Sequence, residues 1–191
     1  MGSMEYRYAT GADAPAAAEL FAANHFDALS PEQRAGQGFV QGSLDAEALR
    51  GLAGGRSLLV ADDDGRVAGL LALSAPESMP DPPPPVQALL AAQDRLRWQG
   101  RPLSEVRWLL YGPLVVGSAY RGHGVARGLF TLAVGAAFGR ADAVVAFIEA
   151  ANQASWRVHV DGFGMTPLGA FTAGGRTYHA VAASPRDPAE A

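Results

Sequence analysis

Apolar and polar positions alternate over Tyr6 to Ala9, which predicts a short first strand. The period then lengthens. Asp13 offers an N-cap, Pro15 suits a first helical turn, and Ala16, Leu20 and Phe21 give one apolar face of a helix ending near Asn24-His25. Leu29 to Gly42, rich in glycine and glutamine, reads as loop, and Ser43 to Glu47 has the form of a capping box for a second helix to about Leu52. Ser57 to Ala61 and Val67 to Leu73 are apolar strands around Asp62-Asp63-Asp64-Gly65, and Asp-Gly between apolar runs signals a hairpin. Three successive aspartates could serve a metal; between two strands the better reading is a solvated turn.

Pro82 to Pro85 are consecutive and demand extended polyproline II over Met79 to Val86. That geometry suits an SH3-type ligand, but a helical pattern follows at once from Val86 to about Trp98, so a stiff connector is favoured. The two together read as an insertion at about 75–105, of the kind that covers a site or forms an interface. Trp108 to Val116 is the next apolar run, and Gly112-Pro113 within it predicts a bulge or bend. After Arg121, the positions Val125, Leu129, Leu132 or Ala133, and Ala136 make a helical stripe. Ala143 to Ile148 is a continuous apolar run typical of a central strand. Ser155 to about Val160 reads as a short helix, Met165 to Phe171 and Arg176 to Ala182 as a closing hairpin, and 185–191 as a flexible tail. This order implies one mixed α/β sheet.

Composition narrows the chemistry. The 191 residues suit one domain with a sizeable core, here read as 4–184, with Met1-Gly2-Ser3 a tag remnant. A net charge of −4 gives no basic footprint for nucleic acid. There is no cysteine, which excludes disulfides, cysteine–zinc sites and a covalent cysteine intermediate. No apolar run is long enough for a membrane span and no signal pattern is present, so the expectation is a cytoplasmic protein without membrane or nucleic-acid partners and with no metal; a homodimer is compatible with the sequence.

One stretch carries ligand chemistry. The apolar run ending at Val116 leads through Arg121-Gly122-His123-Gly124 straight into the helical stripe. A helix N-terminus presents unpaired N–H groups and partial positive charge, glycines let a ligand approach the backbone, and an arginine adds a charged donor. The expected ligand is a phosphate or pyrophosphate; a plain loop-to-helix cap is the competing reading. A P-loop is excluded because the chain has no lysine, and a dinucleotide fingerprint would need glycine at 127, where arginine stands.

Arg121-x-x-Gly124-x-Ala126 resembles the acyl-CoA pyrophosphate motif of the GNAT superfamily of N-acetyltransferases, Gln/Arg-x-x-Gly-x-Gly/Ala. Asn152 and Ser155 after the strand ending at Ile148, followed by a Gly-aromatic or Gly-Met turn at Gly162 to Met165, extend the resemblance, as does the order of elements along nearly the whole chain apart from the proline-rich insertion. The resemblance implies an α/β (α+β) fold, a mixed central sheet of about six to seven strands flanked by helices, with a splayed strand pair at the acyl-CoA site. It also implies that the backbone of Leu114, Val115 and Val116 bonds the pantetheine arm of acetyl-CoA. Arg121, Gly122, His123, Gly124, Val125 and Ala126 would hold the pyrophosphate, Asn152 would contact the pantetheine or the phosphate side of the cofactor, and Ser155 would cap or contact nearby. Asn152 reads equally well as a helix N-cap.

Acyl transfer to an amine needs a base for the amine and an acid for the leaving thiolate. Where many family members carry a tyrosine seven residues after the asparagine, this chain has His159, which suits either role or simple packing on a helix. The family's commoner glutamate position is Phe147 here, which leaves Glu149, on the same strand face, as candidate base or as a solvent-facing strand end. Tyr111, Tyr120, His25 and His179 are weaker candidates. The implied activity is transfer of an acetyl group from acetyl-CoA to a primary amine of a small molecule or peptide. Two alternatives are a non-catalytic acyl-CoA sensor of the same fold and, less well supported, a dinucleotide-binding oxidoreductase.

Overall fold

The computed structural model describes residues 3–190. Along the chain run β1 (Met4–Tyr8), α1 (Ala14–Ala23), α2 (Pro31–Gln37), α3 (Ala46–Gly54), β2 (Leu58–Asp63) and β3 (Arg66–Ser74). Then come α4 (Pro84–Ala92), β4 (Arg97–Trp98), β5 (Arg101–Pro102), β6 (Trp108–Val116) and α5 (Val125–Ala137). The chain closes with β7 (Ala143–Glu149), α6 (Gln153–Trp156), β8 (Thr166–Ala173) and β9 (Arg176–Ala183). Seven strands form one mixed sheet in the order β1-β2-β3-β6-β7-β9-β8, and β4 and β5 pair as a separate ribbon. The β6–β7 pair is parallel, with Trp108 to Leu110 in register with Ala143 to Val145. β7–β9 and β8–β9 are antiparallel.

The chain packs as two units. The first comprises residues up to Pro31, Phe39–Leu73 and Tyr111–Ala133. Its β2–β3 hairpin turns through Asp64 and Gly65, with φ of 49° and 86°, and the Asp63–Arg66 pairing leaves just those two residues in the loop. Both central residues at positive φ match the twist of the flanking strands, so the Asp-Gly pair does here what its chemistry predicts. Asp45 caps α3, its Oδ1 accepting from the Ala48 N–H at 2.8 Å. Ala14, Ala17, Phe21, Leu49, Ala53, Leu58, Val60, Leu70 and Val115 form the core of this unit.

Asp13 differs from its expected role as a simple helix cap. Its carboxylate takes two bonds of 2.9 Å from the Arg7 guanidinium, which also reaches Asp62 at 2.6 Å. These bonds from Arg7 hold the Asp13 carboxyl down to about 2. The cluster fastens the start of α1 to β1 and β2.

The second unit comprises Glu32–Gly38, Ser74–Leu110 and the chain from Val134 onward. Here Leu29 to Gly42, expected as loop, contains α2. Pro31 stands at the helix start and Glu32 in its first turn, both of which favour initiation, and glutamine is itself a good helix former. The proline run is also shorter as extended chain than expected: α4 begins at Pro84, because proline is tolerated in a first helical turn where its missing N–H has no intrahelical partner. The helix ends at Ala92 rather than near Trp98, and the chain folds back through the β4–β5 ribbon. Val86, Leu89 and Ala92 of α4, then Leu96, Trp98, Leu103 and Val106, are buried with Leu168, Phe171 and Tyr178 of the β8–β9 hairpin. The stretch 75–105 therefore supplies a large part of this core. Beyond Ser184, the Arg186 N–H donates to the Val134 carbonyl at 3.2 Å and residues 188–190 form a short turn; residue 191 lies outside the described chain.

Candidate functional site

In the first unit the sheet delivers β6 to a turn and α5. Val115 is buried in the core, while Leu114 and Val116 are half-buried on the alternate face. Gly112 carries φ of 115° just ahead of Pro113, which has no N–H for a ladder, so the irregularity expected in this strand lies directly before the three residues in question.

Arg121 is extended, Gly122 and Gly124 stand at φ of 77° and 83°, and α5 starts at Val125. Left-handed backbone at two positions is what glycine permits and a β-branched residue resists. Beyond the flanking residues, no atom lies within 4 Å of where a Cβ would stand on either glycine, so open space adjoins the turn. His123 is exposed, and its Nδ1–H donates to the Arg121 carbonyl at 2.9 Å. Val125 is buried at the head of the apolar stripe of α5; Ala126 is half-buried. The Arg121 side chain donates to Asn24 Oδ1, and partial burial pushes its pKa down from the ordinary arginine value. The backbone N–H groups of a helix start, together with a guanidinium, form a donor set that fits a pyrophosphate.

The second unit brings together Asn152, Ser155 and His159. Asn152 caps α6, its Oδ1 accepting from the Ser155 N–H at 3.2 Å, and so the helix begins at Gln153 rather than at Ser155. Gly38, at the end of α2, lies against this cap: a Cβ there would stand 2.9 Å from the Asn152 Oδ1. The chain then widens into a π-helical turn over Arg157–Gly162, a distortion that recurs at functional sites. It carries His159, which is only 7% exposed.

His159 Nδ1 lies 2.8 Å from the Ser155 carbonyl and 3.2 Å from Ser155 Oγ. A carbonyl oxygen only accepts, so Nδ1 bears the hydrogen and Nε2 the lone pair. Burial lowers the His159 pKa, outweighing the opposing effect of the Ser155 carbonyl. A neutral imidazole with its hydrogen on Nδ1 can take a proton at Nε2 and has none to give at that nitrogen.

The Glu149 carboxylate, at the end of β7, pairs with Arg176. Arg176 Nη1 reaches its two carboxylate oxygens at 3.2 and 3.0 Å. Phe147, on the same face, packs edge-on against Phe171 and Tyr178. Arg176, like Asn24, was not singled out in the sequence. Its signal was the register between β7 and β9, which pairs Glu149 with Tyr178 and puts Arg176 two residues along the same face.

The weaker candidates have other employment. Tyr111 is buried against Phe130 and burial raises its pKa; Tyr120 donates from its hydroxyl to Asp63 at 3.0 Å. His25 Nδ1 accepts from the Asp27 N–H at 3.2 Å, and His179 packs edge-on against Trp156. The first unit also holds an open cavity of about 610 Å³ lined by Ala18, Phe21, Ala22, His25, Asp27 and Asp45 among others.

Fold and turn together define the class. The chain belongs to the GNAT acetyltransferase family: residues 22–165 match the model described as the acetyltransferase (GNAT) family. No curated protein matches the chain. Among solved structures it is similar to yncA, a putative acetyltransferase from Salmonella typhimurium with its cofactor acetyl-CoA, at 17% identity and TM-score 0.64, covering 97% of this chain and 96% of that one. A GNAT-family acetyltransferase from Streptococcus agalactiae superposes with TM-score 0.66 at 14% identity, covering 96% of each chain. Diaminobutyrate acetyltransferase EctA from Paenibacillus lautus, in complex with L-2,4-diaminobutyric acid and coenzyme A, gives TM-score 0.58 at 13% identity over 97% of this chain and 96% of that one. Among the described residues no helix is long and apolar enough to cross a membrane.

Proposed function

We propose that this protein is a cytoplasmic N-acetyltransferase that moves the acetyl group of acetyl-CoA to a primary amine of a small molecule or peptide. The observation that carries the reading is the turn at the head of α5, with two left-handed glycines, an arginine and open space around the backbone. When bound, acetyl-CoA supplies an acetyl thioester already activated toward amines. The backbone of Leu114 to Val116 bonds the pantetheine arm, residues 121–126 hold the pyrophosphate, and Asn152 and Ser155 support the cofactor side. As the amine nitrogen adds to the thioester carbonyl, His159 takes its proton at Nε2 and returns it to the departing CoA thiolate as the C–S bond breaks, while the Nδ1 hydrogen stays committed to Ser155. Glu149, kept beside Arg176, is the second proton acceptor. The cavity beside α1, whose lining includes Phe21 and Leu44 together with Asp27 and Asp45, suits an amine with an apolar body.

Calorimetric titration with acetyl-CoA, CoA and NADH tests the cofactor. Binding of the first two without NADH is expected; binding of none reduces the turn to a helix cap. Gly124→Val should abolish acetyl-CoA binding with the far-ultraviolet dichroism retained, because a β-branched residue at this φ costs about 1–3 kcal/mol of local strain and closes the space beside the turn. Unchanged affinity in that variant overturns the assignment.

A second reading is a domain that binds acyl-CoA without turnover. It is favoured by the commitment of both candidate catalytic groups, Glu149 to Arg176 and His159 Nδ1 to Ser155. Acetyl transfer to any member of a broad amine panel rejects it.

A further inference from the structure

The cofactor turn is anchored by side chains on either side. Tyr120 reaches Asp63 on the hairpin strand β2, and Arg121 reaches Asn24 just beyond α1. The second contact is built with more care. Asn24 is 8% exposed, and its Nδ2 donates to the Leu20 carbonyl at 2.8 Å. Its backbone is fixed too, the N–H donating to Phe21 at 3.0 Å and the carbonyl accepting from Val40 at 3.0 Å. With the NH₂ group committed to a carbonyl, the amide has one orientation, and Oδ1 is the end that meets the guanidinium.

An amide oxygen can fix the direction of a guanidinium and leave its charge intact. Three other arginines, Arg7, Arg107 and Arg176, each bond a carboxylate, which neutralises as it orients. An arginine side chain is long and rich in rotamers, and ordering it only at the moment of binding weakens binding. Aspartate at position 24 could not donate to Leu20 and would pair with the arginine. Alanine would leave the arginine without this anchor.

We propose that Asn24 is the positioning residue of the cofactor turn: it holds the Arg121 guanidinium in place, still charged, for the phosphates of acyl-CoA. The inference rests on the reading of that turn as the pyrophosphate site.

The test is calorimetric affinity for acetyl-CoA and for S-acetylpantetheine, which lacks the phosphates, in the wild type, Asn24→Ala, Asn24→Asp, Arg121→Ala and the Asn24→Ala/Arg121→Ala double variant. Asn24→Ala should weaken acetyl-CoA binding roughly three- to tenfold, the range for one extra side chain ordered on binding, and leave S-acetylpantetheine unchanged. Asn24→Asp should weaken acetyl-CoA at least as much, and Asn24→Ala should have no further effect once Arg121 is gone. Equal losses for both ligands, or the same loss without Arg121, would make Asn24 a structural support of α1 and overturn the proposal; so would unchanged affinity in both Asn24 variants. If Arg121→Ala itself leaves acetyl-CoA binding intact, the pyrophosphate reading of the turn fails and takes this inference with it. Thermal melts of the unliganded variants establish folding, and Asn24→Asp, which keeps the side-chain shape, carries the comparison if the alanine variant is unfolded.

Discussion

At His159 burial and one neighbour decide the protonation state. Burial disfavours the imidazolium, and the Ser155 carbonyl, which favours an Nδ1–H, does not compensate. The folded protein therefore holds this side chain neutral while the unfolded chain takes up a proton near the ordinary value of 6.5. The sign follows: the stabilisation is complete above that pH and is lost as the pH falls below it toward the depressed folded value. Urea unfolding of wild type and His159→Gln, measured in steps downward from neutral pH, should give curves whose separation shrinks as the solution is acidified. A constant separation would mean that His159 titrates alike in both states. The identity and spacing of His159 were legible in the sequence, but its tautomer was not, because burial is a property of the packed chain. Arg176 and Asn24 were less legible still. Their partners lie 27 and 97 positions away, and no local pattern reports a contact at that separation.

Among the elements, α5 shows how a helix is fitted to a sheet. A Cβ on Gly128 would stand 2.1 Å from the Tyr6 ring, so β1 and α5 approach through a gap that only glycine leaves. Two effects oppose each other in Gly128→Ala. Alanine gains about 0.5–1 kcal/mol of helix propensity, while overpacking of this kind costs about 1–3 kcal/mol. The clash should win and the variant should be less stable by about 1 kcal/mol or more. In a Tyr6→Ala background the clash partner is gone, and the same substitution should become stabilising. Denaturant midpoints of the four proteins in that cycle check the change of sign. Elements with strong local chemistry were legible: the Asp-Gly hairpin, the buried run of β7, and the helix that opens after Gly124. The misread ones were governed by competing rules. Glycines and glutamines around α2 masked the helix start at Pro31, and four prolines masked the beginning of α4, although the last two merely occupy its first turn.

For the molecule as a whole, the segment 75–105 is the part whose meaning changed most between sequence and structure. Its prolines suggested something added to a finished domain. The structure instead buries Val86, Leu89, Leu96, Trp98 and Leu103 from this segment among Leu168, Phe171, Tyr178 and the central strand residues Ala143 and Val145. Leu89 is fully buried, so Leu89→Ala should destabilise by about 2–5 kcal/mol, the loss of transferred apolar surface plus the cavity left behind. The denaturant midpoint should fall with little change in the slope, since the surface exposed on unfolding is nearly the same. Removing residues 75–105 altogether and closing the gap with a flexible linker should do far more. The apolar face of the β8–β9 hairpin would lose its cover, and an exposed apolar sheet face favours association. The truncated chain should be aggregated or unfolded by light scattering and dichroism. A soluble, folded truncation with the wild-type denaturant midpoint would show instead that the segment is an accessory laid over a core already complete without it.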